Sequence, residues 1–177
     1  MSILIYFILG LITFVLIIAI IGYMSASSVH LEVSQKINAA PEDIFPEVGI
    51  FENFVTWSPW SAKDPNMTQK FEGEPLSVGS KYSWKGNKQV GTGSLEISHI
   101  EANRLVVYDM IFGQGANITK CTFKLEPVSD GTNVSWIMDS EMGNNPFSRF
   151  MGRMMTKFVT KDFNEGLTNL SNKLAKK

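Results

Sequence analysis

Cysteine and histidine are scarce in this 177-residue chain, which has one cysteine, Cys121, and two histidines, His30 and His99. One cysteine excludes an intramolecular disulfide, and two histidines leave too few ligands for a conventional zinc site. A positive excess is also missing, because 16 Lys and Arg residues face 17 acidic residues. This balance disfavours a nucleic-acid-binding protein, which usually carries a basic surface. We therefore expect no metal, no cofactor and no nucleic-acid partner.

Charged side chains are absent from Ser2 to Val29, and Ile3 to Met24 is an almost unbroken apolar run. As a helix, this run would be roughly 33 Å long at about 1.5 Å per residue, enough to cross the hydrocarbon core of a bilayer. Tyr6 and Tyr23 lie near its two ends, where membrane interfaces favour amphipathic rings. The sequence predicts a transmembrane anchor with a short stem over residues 1–28, followed by one domain over residues 29–177.

A cleaved signal peptide is the alternative interpretation of this segment. The apolar run is long for a signal peptide, no basic residue precedes it, and Ser25-Ala26-Ser27 matches a cleavage site poorly. Lys36 is the only basic residue close to either end of the run, so the positive-inside rule weakly favours a cytoplasmic domain. We expect a single-pass membrane protein whose soluble domain lies on the cytoplasmic side.

Hydrophobic periodicity in residues 29–177 predicts one α+β domain. A first strand is followed by two short helices near Pro41 and Phe51, and then period-two segments predict a series of further strands. These segments are residues 67–71, 82–84, 90–100, 105–112, 117–125 and 132–142. Their short connections, with tight hairpin turns predicted at Gly86-Asn87 and Asp130-Gly131, favour an antiparallel meander. The stretch around Pro59, before the first of these segments, is predicted to form turns. From Pro146, apolar residues at three- and four-residue steps predict a long C-terminal helix, and we expect its whole apolar stripe to be buried against the sheet.

Several short motifs carry a resemblance to a known superfamily. They are Ile37–Phe45, Trp57–Trp60, Val78–Trp84, Val90–Ser94, Gly131–Trp136 and Lys161–Leu167. Their order resembles SRPBCC proteins, the superfamily of START domains, Bet v 1-like proteins and lipid-binding polyketide cyclase/dehydrase-type proteins, including members with an N-terminal transmembrane helix. The resemblance implies a helix-grip fold, which is a curved antiparallel sheet with two short helices and a long C-terminal helix. Such a fold alone says little about a reaction.

The resemblance also implies a hydrophobic cavity between the sheet and the C-terminal helix. The predicted ligand-binding side chains of the sheet are Phe71, Tyr82, Trp84, Phe123, Trp136 and Met138, and those of the helix are Phe150, Met154 and Phe158. By composition alone, aromatic and methionine side chains at such spacing are more often part of an ordinary core. Trp57 and Trp60 are expected either to gate the cavity or to hold the short helices in place.

These observations predict a membrane-tethered protein that binds a hydrophobic small molecule such as a lipid, a quinone or a polyketide-like compound. Catalytic residues are not predicted, because no nucleophile and base occur in a recognisable motif. Asp109 lies in an apolar strand and is expected to face solvent or to pair with a basic residue. A cyclase-, dehydratase- or hydrolase-like enzyme acting on an apolar substrate in the same cavity is the first alternative, and a protein-interaction module is the second.

Overall fold

The computed structural model describes residues 2–113 and 117–176. In chain order, its elements are α1 (Ser2–Met24), β1 (Ser28–Ile37), α2 (Pro41–Gly49), α3 (Phe51–Trp57), α4 (Pro59–Lys63), β2 (Thr68–Glu72), β3 (Lys81–Lys85), β4 (Thr92–Glu101), β5 (Leu105–Phe112), β6 (Ile118–Val128), β7 (Gly131–Glu141) and α5 (Pro146–Leu174). This order is that of the predicted helix-grip fold, with α1 added in front.

The seven strands form one antiparallel sheet in the order β1-β7-β6-β5-β4-β3-β2. The strands from β2 to β7 are the predicted meander, and β1 pairs along β7 from Ser28 opposite Glu141 to Ile37 opposite Thr132. Gly131 begins β7 with φ at +133°, and a Cβ there would lie 2.1 Å from the Ile37 carbonyl oxygen. Only glycine meets both conditions. Val128 at the end of β6 pairs with Gly131 at the start of β7, so the predicted hairpin at Asp130-Gly131 is confirmed.

Two local features differ from the prediction. Pro59 starts a third short helix, α4, where the sequence indicated only a turn. The connection between β3 and β4 is the loop 86–91 rather than a tight turn at Gly86-Asn87. The Asn87 side-chain oxygen accepts hydrogen bonds from the backbone N–H groups of Gln89 and Val90, at 2.8 and 3.2 Å, which stabilises the longer loop.

Side chains that alternate along the strands give the sheet one buried face. Its largest fully buried members include Tyr108 on β5 and Phe123 on β6. From α3, the Phe51 ring packs 5.5 Å from Tyr108, and the Phe54 ring lies 6.4 Å from Phe123. The short helices therefore fill the middle of the curved sheet with aromatic side chains.

The second half of α5 is seated directly on this face. The rings of Trp136 and Phe163 are stacked 4.0 Å apart and nearly parallel. One turn further along, a Cβ on Gly166 would lie 2.8 Å from Trp136 Cζ3 and 3.3 Å from Pro59 Cδ. Because a side chain at this position would strike the indole ring, the close approach of α5 requires glycine.

Polar contacts join the same half of α5 to the short helices. Asn169 donates a hydrogen bond to the Trp57 carbonyl at 3.1 Å, and the Lys173 ammonium group binds the buried Glu47 carboxylate. A buried carboxylate is costly unless it is paired. These contacts hold the C-terminal half of α5 in one position on the domain.

The first half of α5 differs from the expectation that the whole apolar stripe is buried. Large apolar side chains there are exposed, namely Phe147, Met151, Met154, Met155 and Phe158. The face of α5 that meets the edge of the sheet carries Gly152 instead, where a Cβ would lie 3.1 Å from Val29 Cγ2. The expectation is wrong for this half because a small residue faces the sheet and places the larger side chains on another side of the helix.

Helix α1 is long and apolar enough to cross a membrane. Its side chains from Ile3 to Ile17 are exposed, and its last turns contact the start of α5. At this contact a Cβ on Gly22 would lie 1.9 Å from the carbonyl oxygen of Pro146. The end of α1 and the beginning of α5 therefore meet backbone to backbone.

We expect Gly166→Ala to lower the free energy of unfolding by about 1–3 kcal/mol, because the added methyl group overpacks the contact with Trp136. Helix propensity alone would raise stability by up to about 1 kcal/mol. Gly152→Ala is the matched control, since its methyl group meets mainly the mobile end of Met142. Urea denaturation of the full chain in detergent measures both, and an increase in stability for Gly166→Ala would contradict the proposed packing.

A chain that starts at Ser27 is expected to fold without α1, because β1 and the buried core lie after that residue. Far-ultraviolet circular dichroism and a cooperative urea transition measure this. Loss of cooperative unfolding would show that α1 belongs to the folding unit.

Candidate ligand-binding site

A cleft opens between the first half of α5 and the strands β1 and β7, beside the residue that precedes β6. Its volume is about 410 Å³, which lies within the range of small-molecule sites. The described residues that line it are Val29, Asn117, Met138, Ser140, Met142, Phe147, Ser148, Met151, Gly152, Met155 and Thr156. Four of these are methionines, whose flexible and polarisable side chains adapt to irregular apolar partners.

The local sequence explains how α5 forms one wall of the cleft. Asn145 caps the helix by accepting a hydrogen bond from the Phe147 N–H at 2.9 Å, and Pro146 occupies the first helical position. Gly152 then lets the helix pass close to Val29 of β1. The cleft is the space left beside this contact.

The polar groups of the cleft are neutral. Ser140 lies in its lining and shares a 2.8 Å hydrogen bond with the buried Thr119 hydroxyl. Asn117, Ser148 and Thr156 complete the polar part of the lining. None of the described lining residues titrates, so this site offers apolar contact and a few uncharged hydrogen-bonding groups.

The predicted sheet residues form the core beneath α5 and the short helices. Tyr82 stacks with Phe71 and Trp84, with ring centroids 5.3 and 5.5 Å apart, and burial raises the pKa of Tyr82 to about 12. Phe123 and Trp136 pack 4.6 Å apart. Tyr82, Phe123 and Trp136 are all buried against protein side chains. Met138 is the predicted sheet residue that the structure also places in the lining of the cleft.

The predicted helix residues lie elsewhere on α5. Phe150 is half-buried, while Met154 is 48% exposed and Phe158 is 63% exposed. Two residues turn an α-helix by about 200°, so Met154 projects away from the side on which Gly152 meets β1. The structure therefore does not bring these three side chains together with the predicted sheet residues around one space. Ligand contact at these positions stays a prediction.

Trp57 and Trp60, the predicted gate, pack into the aromatic cluster above the sheet. Trp57 is buried, with its ring 4.9 Å from Phe54, and Trp60 is half-buried, with its ring 5.7 Å from Trp136. These contacts hold α3 and α4 on the core. A gating role for either tryptophan is not tested by this arrangement and stays a prediction.

The sequence analysis missed most residues of the cleft, including Val29, Met142, Met151 and Met155. One pattern in the sequence could have indicated this side of α5. Gly152 precedes Thr156, Val159 and Phe163 at three- and four-residue steps, which marks a second row on α5 with small residues at its beginning.

Titratable residues of the sheet form pairs outside the cleft. Asp109 accepts a hydrogen bond from Lys120 at 2.8 Å, as expected for a carboxylate on the solvent side. His30 Nδ1 lies 2.6 Å from Asp139 Oδ1, and this hydrogen bond raises the pKa of the His30 imidazole. Both pairs are consistent with surface roles.

The single thiol lies next to the cleft but is not part of its lining. Cys121 is buried on β6 between Tyr108 of β5 and Met138 of β7. Burial raises the pKa of this thiol to about 12. Cys121 is therefore an apolar core residue, in agreement with its position on the buried face.

Residues 28–175 match the family model described as polyketide cyclase / dehydrase and lipid transport. The chain belongs to this family. The matched range begins at β1 and ends just after α5, so it covers the whole helix-grip domain of this polyketide cyclase/dehydrase family member and leaves out α1.

Solved structures of low sequence identity share the fold of this family member. A protein from Rhodobacter sphaeroides is 21% identical, with a TM-score of 0.62, and the match covers 85% of this chain and 94% of that protein. A protein from Rhizobium leguminosarum is 14% identical, with a TM-score of 0.63 and coverages of 85% and 96%.

The di-domain ARO/CYC StfQ of the steffimycin biosynthetic pathway is a further structural neighbour. It is 11% identical, with a TM-score of 0.61, and the match covers 82% of this chain and 50% of StfQ. At this identity the likeness shows the fold alone. Among curated proteins, none is similar enough to this chain to count as a match.

Cys121 is expected to react with a maleimide at pH 8 roughly a thousandfold more slowly in the folded protein than in urea. The reason is that burial raises the thiol pKa from 9.0 to about 12 and reduces the reactive thiolate accordingly. Labelling followed by mass spectrometry measures the rates, with Thr168→Cys on the exposed side of α5 as a fast-reacting control. Similar rates at the two positions would contradict the burial of Cys121.

Proposed function

We propose that this protein binds a hydrophobic small molecule in the cleft between α5 and the β1–β7 edge of the sheet, while α1 anchors it in a membrane. The observation that carries the proposal is the composition of the cleft, which combines four methionines with uncharged polar groups. A ligand of matching chemistry is largely apolar with one or two neutral oxygens. Lipids, quinones and polyketide-like compounds fulfil this description.

The apolar contact supplies most of the binding free energy in this proposal. Burying about eight methylene groups contributes roughly 6 kcal/mol of transfer free energy at about 0.8 kcal/mol each, before the costs of binding. Because about 6 kcal/mol corresponds to a dissociation constant of roughly 40 μM even without those costs, we expect dissociation constants of tens of micromolar or weaker. No charged contact is needed for such an affinity.

The membrane anchor determines where the protein encounters such a ligand. Helix α1 ends at Met24 and β1 begins at Ser28, so only residues 25–27 separate them. A stem of this length keeps the domain at the surface of one bilayer. Val29, in the lining of the cleft, is the second residue of β1. Local extraction, sensing or presentation of a membrane-derived ligand fits this geometry better than transport between membranes.

The sidedness of the anchor is part of the proposal. Lys36 lies soon after α1, and no basic residue precedes this helix. The positive-inside rule then weakly favours the cytoplasmic side, and we propose this orientation for the domain.

The family description also covers cyclases and dehydrases, so catalysis on an apolar substrate is the second candidate. Such reactions require a group that accepts or donates a proton. The described lining residues of the cleft contain no carboxylate, imidazole, thiol or phenol. We therefore favour binding without chemistry at this site.

Replacing Met155 by tryptophan is expected to fill the cleft and abolish ligand binding, because Met155 belongs to its lining. Met154→Trp is the matched control, because Met154 is exposed to a similar extent as Met155 but is not part of the lining of the cleft. Native mass spectrometry of the full chain, extracted in detergent, detects a co-purifying apolar molecule. The parent and Met154→Trp should retain it, and Met155→Trp should lose at least about nine-tenths, a change of about 1.4 kcal/mol.

If Met154→Trp loses the apolar molecule and Met155→Trp retains it, the site lies on the predicted side of α5 that carries Met154. If the folded parent retains no apolar molecule and binds neither a fatty acid nor a quinone when these are added, the binding proposal is wrong. Circular dichroism of each variant verifies that the comparison involves folded protein.

A further inference from the structure

An exposed apolar row runs along the first half of α5. It consists of Phe147, Met151, Met154 and Phe158, all of which are exposed. Their spacing of four, three and four residues places them within about 60° of one another around the helix, over a length of roughly 16 Å. We call these residues the outer row. Four large exposed side chains on one side of a helix indicate a surface that contacts something apolar.

A basic row lies on the same half of α5 and approaches the outer row along the helix, from Arg149 on the opposite side of the helix to Lys161, about 50° from the centre of the outer row. Arg149, Arg153, Lys157 and Lys161 follow one another at four-residue steps, and residues 142–161 contain no acidic residue. The rest of the chain has 12 basic and 17 acidic residues, so positive charge is concentrated here. Within the described part of the chain, no ion pair involves Arg153, Lys157 or Lys161. This half of α5 therefore has the composition of a helix that binds an anionic membrane surface.

Contact with α1 places this helix at the level of a bilayer surface. Gly22 lies near the end of α1 and touches Pro146, the first residue of α5. A helix that crosses the membrane and ends at Met24 brings Pro146 to the interface. Two further exposed apolar residues, Phe112 and Ile118, lie at the end of the sheet where β1 begins.

We propose that the first half of α5 docks on the membrane in which α1 is anchored, with the outer row in the lipid interface and the basic row on anionic headgroups. The inference rests on the proposed tether and deepens it. Phe147 and Met151 belong both to the outer row and to the lining of the cleft. Docking therefore opens the cleft toward the lipid, so the ligand comes from the same leaflet.

The positive charge of the basic row favours a membrane over a second copy of this chain as the partner that covers the outer row. Two copies that met through this surface would bring two basic rows together, which is repulsive. An anionic leaflet neutralises the same row. The tether also makes docking an intramolecular event, so modest affinity of the surface is sufficient.

The test uses the full chain in vesicles of phosphatidylcholine, either alone or mixed with phosphatidylglycerol. Met154→Cys, labelled with an environment-sensitive fluorophore, reports on the outer row, and labelled Thr168→Cys reports on an exposed position of the second half of α5. We expect a blue-shifted emission and strong quenching by nitroxide-labelled lipid at position 154 in the anionic vesicles, and neither at position 168.

Charge reversal tests the basic row separately. Arg153→Glu combined with Lys157→Glu should reduce the quenching at position 154 severalfold. The control, Lys70→Glu combined with Lys176→Glu, changes the net charge equally on the far edge strand β2 and at the end of α5, and should have no effect. Equal quenching in all variants and in both lipids would overturn the role of the basic row.

Resistance of the protein to carbonate extraction reports on α1 alone. A carbonate-resistant protein whose label at position 154 stays in water would overturn docking and leave the tether intact. Extraction by carbonate would overturn the tether, and lipid contact at position 154 would then still support the docking surface. Protection of the label without quenching by lipid would indicate a protein occupant and overturn the inference.

Discussion

The close contact between α5 and Trp136 determines the geometry of the rest of the domain. Phe163 stacks on this indole, and Gly166 allows the helix backbone to approach it. A helix of 29 residues is stiff over its length of roughly 44 Å. Once its second half is seated, the direction of its first half is set as well. The width of the cleft beside β1 therefore depends on a contact several turns away.

The same helix passes through two environments, and its composition changes between them. In the second half, Leu167 and Leu170 are fully buried and Lys173 pairs with Glu47. In the first half, methionines and basic residues dominate and burial is slight. Few buried contacts mean that local opening requires little free energy there. The methionine side chains of this wall can change rotamer and so alter the shape of the cleft, while the helix axis keeps the direction set by the second half of α5.

The strands were predictable because they alternate apolar and polar residues, as in Val134, Ser135 and Trp136, and because the motif order resembles a known superfamily. The cleft could not be predicted from the sequence, because two apolar rows overlap on α5. Phe147, Met151, Met154 and Phe158 form one row, and Gly152 and Phe163 belong to another. Both rows satisfy three- and four-residue steps, and only the direction of the sheet decides which is buried. The sequence-based interpretation gave more weight to the large side chains than to the glycine, although Gly152 marks the side of α5 that faces Val29 and Met142.

The sheet topology has a consequence for the order in which the domain assembles. Each strand from β2 to β7 pairs with its neighbour in the chain, whereas Ser28 of β1 pairs with Glu141 of β7. Local hairpins form quickly, and pairing between distant residues is delayed by the entropy of closing the intervening loop. During synthesis β1 leaves the ribosome before its partner strand β7 exists, so β1 stays unpaired with β7 until almost all of the given sequence has been made. Completion of the sheet is then a late step, and it is the step that brings the end of α1 against the beginning of α5.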